Sequence, residues 1–470
     1  MPSTNTVFIF LFLPVFLIIY HAVLAIENRF KFNFSLAKYG LILLNLYIFS
    51  VGDTRTLKFI LVYALLIYSG GVLVKCLKQE LLSNIVLAIS ILFVLGILIL
   101  QVGFSAETVA SFKMLPLLAR LKAVRFLGVS FISFTAISYL VDVSKGWQVR
   151  SFADFFVYLL FFPKVFSGPI VLWRDFELAQ GIRPVQDIDL FVSGINRFVI
   201  GLAKKIIIAD AYGELFRHVN NNIDTGTAYL IMVYFAVQMY VDFSAYSDMA
   251  IGLGRMCGYQ IKENFCLPYQ ASSIADFWRR WHISLGAWFR NYVYFPLGGS
   301  RKGIKRTILN VAVVFFLTGI WHGVGFGYLM WGMMHGLGVI LDRFAFMQRI
   351  PKVIRRMLTL AVVFVGWMFF YFGNLHQVLE FLPKLVGIYD ASSVMASYHL
   401  YLTPKLVLLT VVSLLCALFY KQEWTEAGRN FLKRQPIAYA VYQLGILVLA
   451  VISLMFLVNQ LYQPFLYFQY

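Results

Sequence analysis

The sequence predicts an all-α integral membrane protein with about ten to twelve transmembrane helices and additional re-entrant or interfacial ones. Hydrophobic residues fill 60% of its 470 positions and charged residues only 13%, about half the usual globular share. Apolar runs recur along the whole chain, and basic residues gather between them. Hydrocarbon cannot hydrogen-bond an open sheet edge, so the crossing segments must be helical.

The stronger runs lie at 7–25, 57–74, 84–102, 228–241, 309–320, 360–372, 406–419 and 437–458. A helical span takes roughly 20 residues, so the shorter runs must extend into aromatic or weakly polar flanks. Weaker runs at 39–51, 152–172, 191–208 and 328–340 complete the set. The first run follows no basic residue, contains Pro14 and lacks a small-residue cleavage pattern. It therefore reads as a retained span and not as a signal peptide. Cys76, Cys257, Cys266 and Cys416 are scattered without C-x-x-C spacing and read as membrane-buried thiols.

The formal net charge of +18 does not imply nucleic acid, because Lys and Arg form no single face and are better explained by retention of basic loops in the cytoplasm. Arg301, Lys302, Lys305 and Arg306 precede the apolar block 307–341, and Arg343, Arg349, Lys352, Arg355 and Arg356 follow it. That block holds two helical lengths around Gly323, Gly325 and Gly327, so it is expected to cross and return as a hairpin. The connection 373–403 has Lys384 as its only basic residue, whereas Lys421, Arg429, Lys433 and Arg434 crowd the next one. Alternation places 373–403 and the chargeless tail outside.

Two histidines stand out. In DFWRRWHISLGAWFRNYVYFPLGGSRKG (276–303), a helical projection puts Phe277, Trp278, Trp281, Leu285, Trp288, Phe289 and Tyr292 in one arc of about 120°. Arg279, Arg280, Arg290 and Asn291 fall opposite, which predicts an amphipathic helix at the cytoplasmic interface. His282 lies at the arc's edge, either as a packed interfacial residue or as an inward-pointing functional one. His322, in TGIWHGVGFG, ends an apolar helix ahead of a glycine series that would admit a substrate close to the backbone. An ionisable group within a span is a functional candidate by default, and neutral imidazole can take a proton from a hydroxyl near pH 7. His335, in WGMMHG, reads as a helix-packing polar residue. His21, His218, His376 and His399 stand in loops or at span ends and are given no role.

The glycine-rich IGLGRMCG and GVGFG follow no strand, so neither reads as a nucleotide fingerprint. No P-loop, G-x-S-x-G or H-E-x-x-H pattern occurs. Asp242 and Asp248 are six apart and do not share a helix face, which favours structural hydrogen bonding over a metal site.

Taken together, FFPKVFSGPI (161–170), QMYVDFSAYSDMAIGLG (238–254), the 276–303 stretch, WHG and WGMMHG resemble the membrane-bound O-acyltransferases, in the branch of bacterial polysaccharide acylators that includes alginate O-acetyltransferase and the D-alanyl transfer protein of teichoic acids. GVSFISFTAISYLVD (128–142) is similar too, whereas Asn291 and Ala245 depart from the usual aspartate and glycine. The resemblance implies three regions: N-terminal transmembrane helices (1–125), a catalytic core (126–345), and C-terminal helices with an extracytoplasmic aromatic tail (346–470). It implies a ring of tilted helices around a tunnel, with His322 as the catalytic histidine and His282 as the second, motif-embedded one. The expected substrate-binding residues are Arg279, Arg280, Trp281, Trp321 and Asp242, with the arginines facing an anionic donor. No metal or tightly bound cofactor is expected.

The implied function is transfer of an acyl group, most simply acetyl, from acetyl-CoA or an acyl carrier protein thioester across the bacterial inner membrane to polysaccharide hydroxyls. Membrane lipid, the glycan, an extracytoplasmic partner acyltransferase and a cytoplasmic acyl carrier are the implied partners. The tail QPFLYFQY (463–470) reads either as an aromatic belt or, by resemblance to the family's closing signature, as the carrier of an acyl-accepting Tyr467. D-alanyl transfer to teichoic acid and a polysaccharide-export transporter or flippase are the alternatives; a transporter would usually show an internal repeat, and none is evident. The basic-loop distribution predicts that a cysteine at position 302, on a cysteine-free background, is protected from an impermeant thiol reagent added to intact cells. Ready labelling there would overturn the topology.

Overall fold

The computed structural model describes residues 6–31, 35–50, 54–103, 128–180, 187–217, 219, 223–323, 325–389, 398–420, 422–459 and 465. Its regular elements are all helices. Contacts divide the chain into two compact units, Met1–Phe198 with Met249–Lys262, and Val199–Asp248 with Glu263–Tyr470.

Unit 1 holds a π-helical turn Phe8–Phe12, α1 (Leu13–Phe30), α2 (Leu36–Ser50), α3 (Thr54–Cys76), α4 (Glu80–Val102), α5 (Val129–Ser144), α6 (Phe152–Leu160), α7 (Trp173–Gln180) and most of α8 (Ile188–Ala203). α5 is its buried centre. The Tyr139 ring lies 4.4 Å from Phe155 and 5.0 Å from Trp173, and the Trp173 backbone N–H donates to Ser138 Oγ at 2.9 Å. The apolar run 152–172 is not one helix. α6 stops at Leu160, because Pro163 has no N–H for the helical ladder and disfavours helical geometry in the residue before it; the following turns are buried instead. His21, expected in a loop or at a span end, lies inside α1 with Nε2 2.8 Å from the Met256 carbonyl.

Unit 2 begins with the π-helical turn Lys204–Ala209 and α9 (Asp210–Arg217), then α10 (Thr225–Met256), which belongs to it up to Asp248. A 3₁₀ turn Pro268–Gln270 leads to α11 (Ile274–Arg280), α12 (Ile283–Phe289) and a π-helical turn Arg290–Tyr294. Next come α13 (Gly303–His322), α14 (Phe326–Leu341), α15 (Ala345–Arg349), α16 (Lys352–Phe372), α17 (Leu375–Phe381) and a 3₁₀ turn Leu382–Val386. α18 (Tyr398–Tyr401), α19 (Pro404–Phe419), α20 (Gln422–Leu432) and α21 (Pro436–Asn459) complete it.

Among the described residues, seven helices are long and apolar enough to cross a membrane: Phe8–Phe30, Arg55–Cys76, Glu80–Val102, Thr225–Met256, Gly303–His322, Lys352–Phe372 and Pro436–Val458. Four more, α2, α5, α14 and α19, are apolar but shorter. α10 is the most enclosed span, 83% buried over its apolar window against 11% for Pro436–Val458. That enclosure lets α10 carry charged side chains at membrane depth. The cysteines are free, but Cys76 and Cys266 are exposed rather than buried.

The block 307–341 forms the expected hairpin, α13 against α14, and its glycines explain how closely the two helices approach. A Cβ at Gly332 would lie 2.5 Å from the Phe315 carbonyl oxygen, and one at Gly319 2.8 Å from that of Tyr328. Small residues at such crossings let dispersion contacts hold helices that lipid does not drive together. Gly323 and Gly325 are the glycines expected to admit substrate. Instead, a Cβ at Gly323 would collide with the Tyr328 ring and one at Gly325 with the Gly373 carbonyl, which accepts the Gly327 N–H at 3.0 Å. The break after His322 is thus a close-packed joint with the end of α16.

Gly332→Ala is expected to destabilise the folded protein by about 1–3 kcal/mol through overpacking, read as earlier thermal aggregation in detergent. Gly445→Ala, where nothing lies within 4 Å of the added carbon, should match wild type. Equal behaviour of the two variants would show that the hairpin is not close-packed.

Candidate active site

The helix predicted through 276–292 is broken at the residue of interest. α11 ends at Arg280, Trp281 is extended, and His282 adopts left-handed backbone angles (φ 43°, ψ 52°) as the N-cap of α12. Ser273 caps α11 by accepting the Asp276 N–H at 3.1 Å, and Asp342 Oδ2 accepts the Ala275 N–H at 2.7 Å. A non-glycine residue in the left-handed region costs energy. Here the surrounding hydrogen bonds hold it.

Asn264 supplies them. Its backbone carbonyl accepts the Ile283 N–H at 3.0 Å. Its Oδ1 accepts the Ser284 N–H at 3.1 Å and the Ser284 hydroxyl at 2.9 Å, and lies 3.2 Å from His282 Nδ1. A backbone N–H only donates, so the atom facing it is the carboxamide oxygen, and an oxygen that only accepts requires Nδ1 to carry the imidazole proton. Nε2 of His282 is then the basic nitrogen. Asn264 is itself steadied by donating to Ser247 Oγ of α10 at 3.3 Å.

His282 is fully buried, His322 is 7% exposed, and both belong to one aromatic assembly in unit 2. Phe243 of α10 meets the His282 ring edge-on at 4.7 Å and the Trp281 ring at 6.3 Å. Trp281 lies 4.9 Å from Trp367, which stacks with Trp331 at 6.2 Å. Trp331 meets His322 edge-on at 4.9 Å, with Phe370 at 5.0 Å and Trp321 at 4.4 Å from the same imidazole. Burial, and after it the nearness of the His322 imidazole, hold His282 well below the usual imidazole range, so at neutral pH it is uncharged. His335 lies in the same assembly, boxed by Phe277, Trp278 and Trp331. A Cβ at Gly366 would sit 2.9 Å from its Nε2.

A cavity of about 430 Å³ adjoins this assembly, lined by Trp278, Phe315, Thr318, Tyr294, Arg279 and Arg290 among others. Trp278 and Phe315 meet at 5.4 Å, and Trp278 packs on Trp331 at 5.7 Å; Thr318 stands one turn before His322. The cavity is apolar with two guanidiniums in its lining, chemistry that suits a molecule with an anionic end and an uncharged arm. Arg279 and Arg280 both pair with Asp276, at 3.3 and 3.1 Å; only Arg279 lines the cavity.

The structure therefore gathers His282, His322, Trp281 and Trp321 into one assembly and sets Arg279 at the neighbouring cavity. Asp242 is 2.9 Å from Lys205, which also pairs with Asp210 at 2.8 Å. Asp248 pairs with Lys204 at 2.7 Å. Tyr467 and His218 lie outside the described residues. Among those described, no group of histidine, cysteine and carboxylate side chains could hold a metal ion. Sequence reading missed Asn264, which stands in no motif, and Trp367, which sits in an apolar stretch with no chemical marker beside it. It also missed Lys204 and Lys205, whose signal was present: two lysines inside an apolar run ahead of Asp210.

The segment that carries this arrangement is similar to known proteins. Residues 147–381, which hold both histidines and the cavity, match the sequence profile of MBOAT, the membrane-bound O-acyltransferase family. The probable alginate O-acetylase of Pseudomonas putida is 35% identical over 363 residues, 73% of this chain and 75% of that protein. The peptidoglycan O-acetyltransferase of Helicobacter pylori is 30% identical over 57% of the chain and 58% of its own length. The teichoic acid D-alanyltransferase of Bacillus subtilis is 28% identical over 53% of the chain and 68% of its own length. With the helical membrane architecture and the matched core in agreement, the chain belongs to the membrane-bound O-acyltransferase family.

Proposed function

We propose that this membrane O-acyltransferase moves an acetyl group from a cytoplasmic thioester, acetyl-CoA or an acyl carrier protein, across the bacterial inner membrane to hydroxyls of a cell-surface or secreted polysaccharide. The observation that carries the reading is the placement of two buried histidines in one water-excluding aromatic assembly, beside a cavity that combines apolar walls with Arg279 and Arg290. In that reading the donor's anionic end meets the arginines and its thioester arm extends past Trp278 toward His322. The likeness to alginate and peptidoglycan O-acetyltransferases supports an acetyl group and a glycan acceptor. D-alanyl transfer is the second reading, supported by the teichoic acid enzyme of Bacillus subtilis.

His322 acts as the base. Its imidazole removes the acceptor hydroxyl proton, the oxygen attacks the thioester carbonyl carbon, the C–S bond breaks, and the departing thiolate takes the proton back. His282, with Nδ1–H committed to Asn264, presents Nε2 as an acceptor that orients a substrate O–H or N–H. Tyr467 is proposed as a transient carrier: its hydroxyl takes the acyl group from the thioester as an ester, and a glycan hydroxyl or the extracytoplasmic partner then receives it. The tunnel implied by the resemblance belongs to this proposal as the donor's route.

His322→Ala should lower glycan acylation by about 10²-fold or more while the protein still accumulates in the membrane. Normal acylation by a stable His322→Ala protein would overturn the assignment, and His335→Ala serves as the packing control. Asn264→Ala releases the His282 tautomer and should cost about tenfold in rate, whereas Asn264→Asp, which keeps an acceptor oxygen, should recover part of it; equal activity of both would remove the tautomer argument. Mass analysis of the C-terminal peptide, with donor and no acceptor, should show an acyl adduct on Tyr467 that is absent in His322→Ala. Full glycan acylation by Tyr467→Phe would reject the carrier.

A further inference from the structure

Phe465 stands beyond the end of α21 and is 1% exposed. Its ring meets Tyr246 of α10 edge-on, centroids 5.1 Å apart at 89°. Lys205 Nζ sits over the same ring, 4.4 Å from its centre. That ammonium is fixed on its other sides by Asp210 at 2.8 Å and Asp242 at 2.9 Å. All four partners are buried, and α21 itself packs on the π-helical turn that carries Lys205.

A buried lysine held by two carboxylates is costly to assemble, and its cation attracts an aromatic face more strongly when desolvated than at a surface. The arrangement therefore selects an aromatic ring over an aliphatic side chain of similar size. One helix ties this socket to the second histidine. Asp242 and Tyr246, a turn apart on α10, face the socket, while the adjoining pair Phe243 and Ser247, also a turn apart, touch His282 and Asn264. A shift of α10 at one face is felt at the other, since a packed helix moves as a rigid element.

We propose that Lys205, Asp210, Asp242 and Tyr246 form a docking socket for the chain's own Phe465 ring, and that the seated ring holds α10 in register with His282. These are positioning residues. The seat rests on the contacts alone; its effect on acyl transfer rests on the function proposed above.

Two measurements test it. In protein carrying p-azidophenylalanine at position 465, which keeps the ring, irradiation should join that position to a peptide holding Lys205 or Tyr246, seen as fragments that stay together after cleavage at a protease site inserted within 390–397; absence of the cross-link would overturn the seat whatever the enzyme does. Phe465→Tyr keeps the ring and should retain at least about half of the wild-type transfer rate, whereas Phe465→Leu should lower kcat for transfer by about tenfold with donor KM within about twofold. Wild-type kcat in Phe465→Leu, or an equal loss in both variants, would overturn the role of the cation-facing ring. Loss of both KM and membrane accumulation in Phe465→Leu would reduce the socket to a folding contact and overturn the positioning role.

Discussion

Hydrocarbon offers no partner to a polar group, and the arrangement of unit 2 follows from that constraint. The regular elements are helices because only helices satisfy their own backbone there. Charges placed at that depth must be enclosed and paired, which is what α10 and the turn before α9 accomplish with Lys204–Asp248 and the Lys205–Asp210–Asp242 triad. Removing one member would leave an uncompensated buried charge, a loss of about 3–5 kcal/mol. α10 is thereby held as a rigid post, and its neighbouring face carries Phe243 and Ser247 to His282 and Asn264.

The same enclosure shapes the chemistry. An aromatic assembly that runs from Phe243 through Trp281, Trp367 and Trp331 excludes water around both imidazoles. In such surroundings His282 stays a neutral imidazole, the form able to accept a proton. Asn264 adds direction by fixing which nitrogen of His282 carries the proton. The proposed acyl transfer needs these two things, a base and dryness, since water would compete with the acceptor for the acyl group.

Much of this was legible in the sequence, and the parts that were not have physical reasons. Composition and apolar runs announced the helices. The intramembrane setting of His322 and the aromatic context of His282 announced both histidines. The break at His282 was not legible, because a helical projection assumes continuity and the left-handed residue there is held by Asn264, eighteen positions upstream. The glycines after His322 suggested substrate access, but their partner is Gly373, a contact that no local pattern encodes. Asp242 reads in the sequence as a structural hydrogen-bonding residue; its ion pair is not legible there because Lys205 stands on a different helical segment. The run through Pro163 reads as one weak span in hydropathy, although the proline already marks the end of its helix.

The proposed reaction is a histidine-dependent transfer that carries the acyl group across the membrane. It is tested in sealed inverted vesicles with a glycan fragment trapped inside and a labelled acetyl thioester added outside, comparing wild type with His322→Gln. Wild type should leave alkali-labile acetyl esters on the trapped glycan and the variant none. Equal labelling in both, or movement of unmodified glycan across the membrane without any ester, would contradict it.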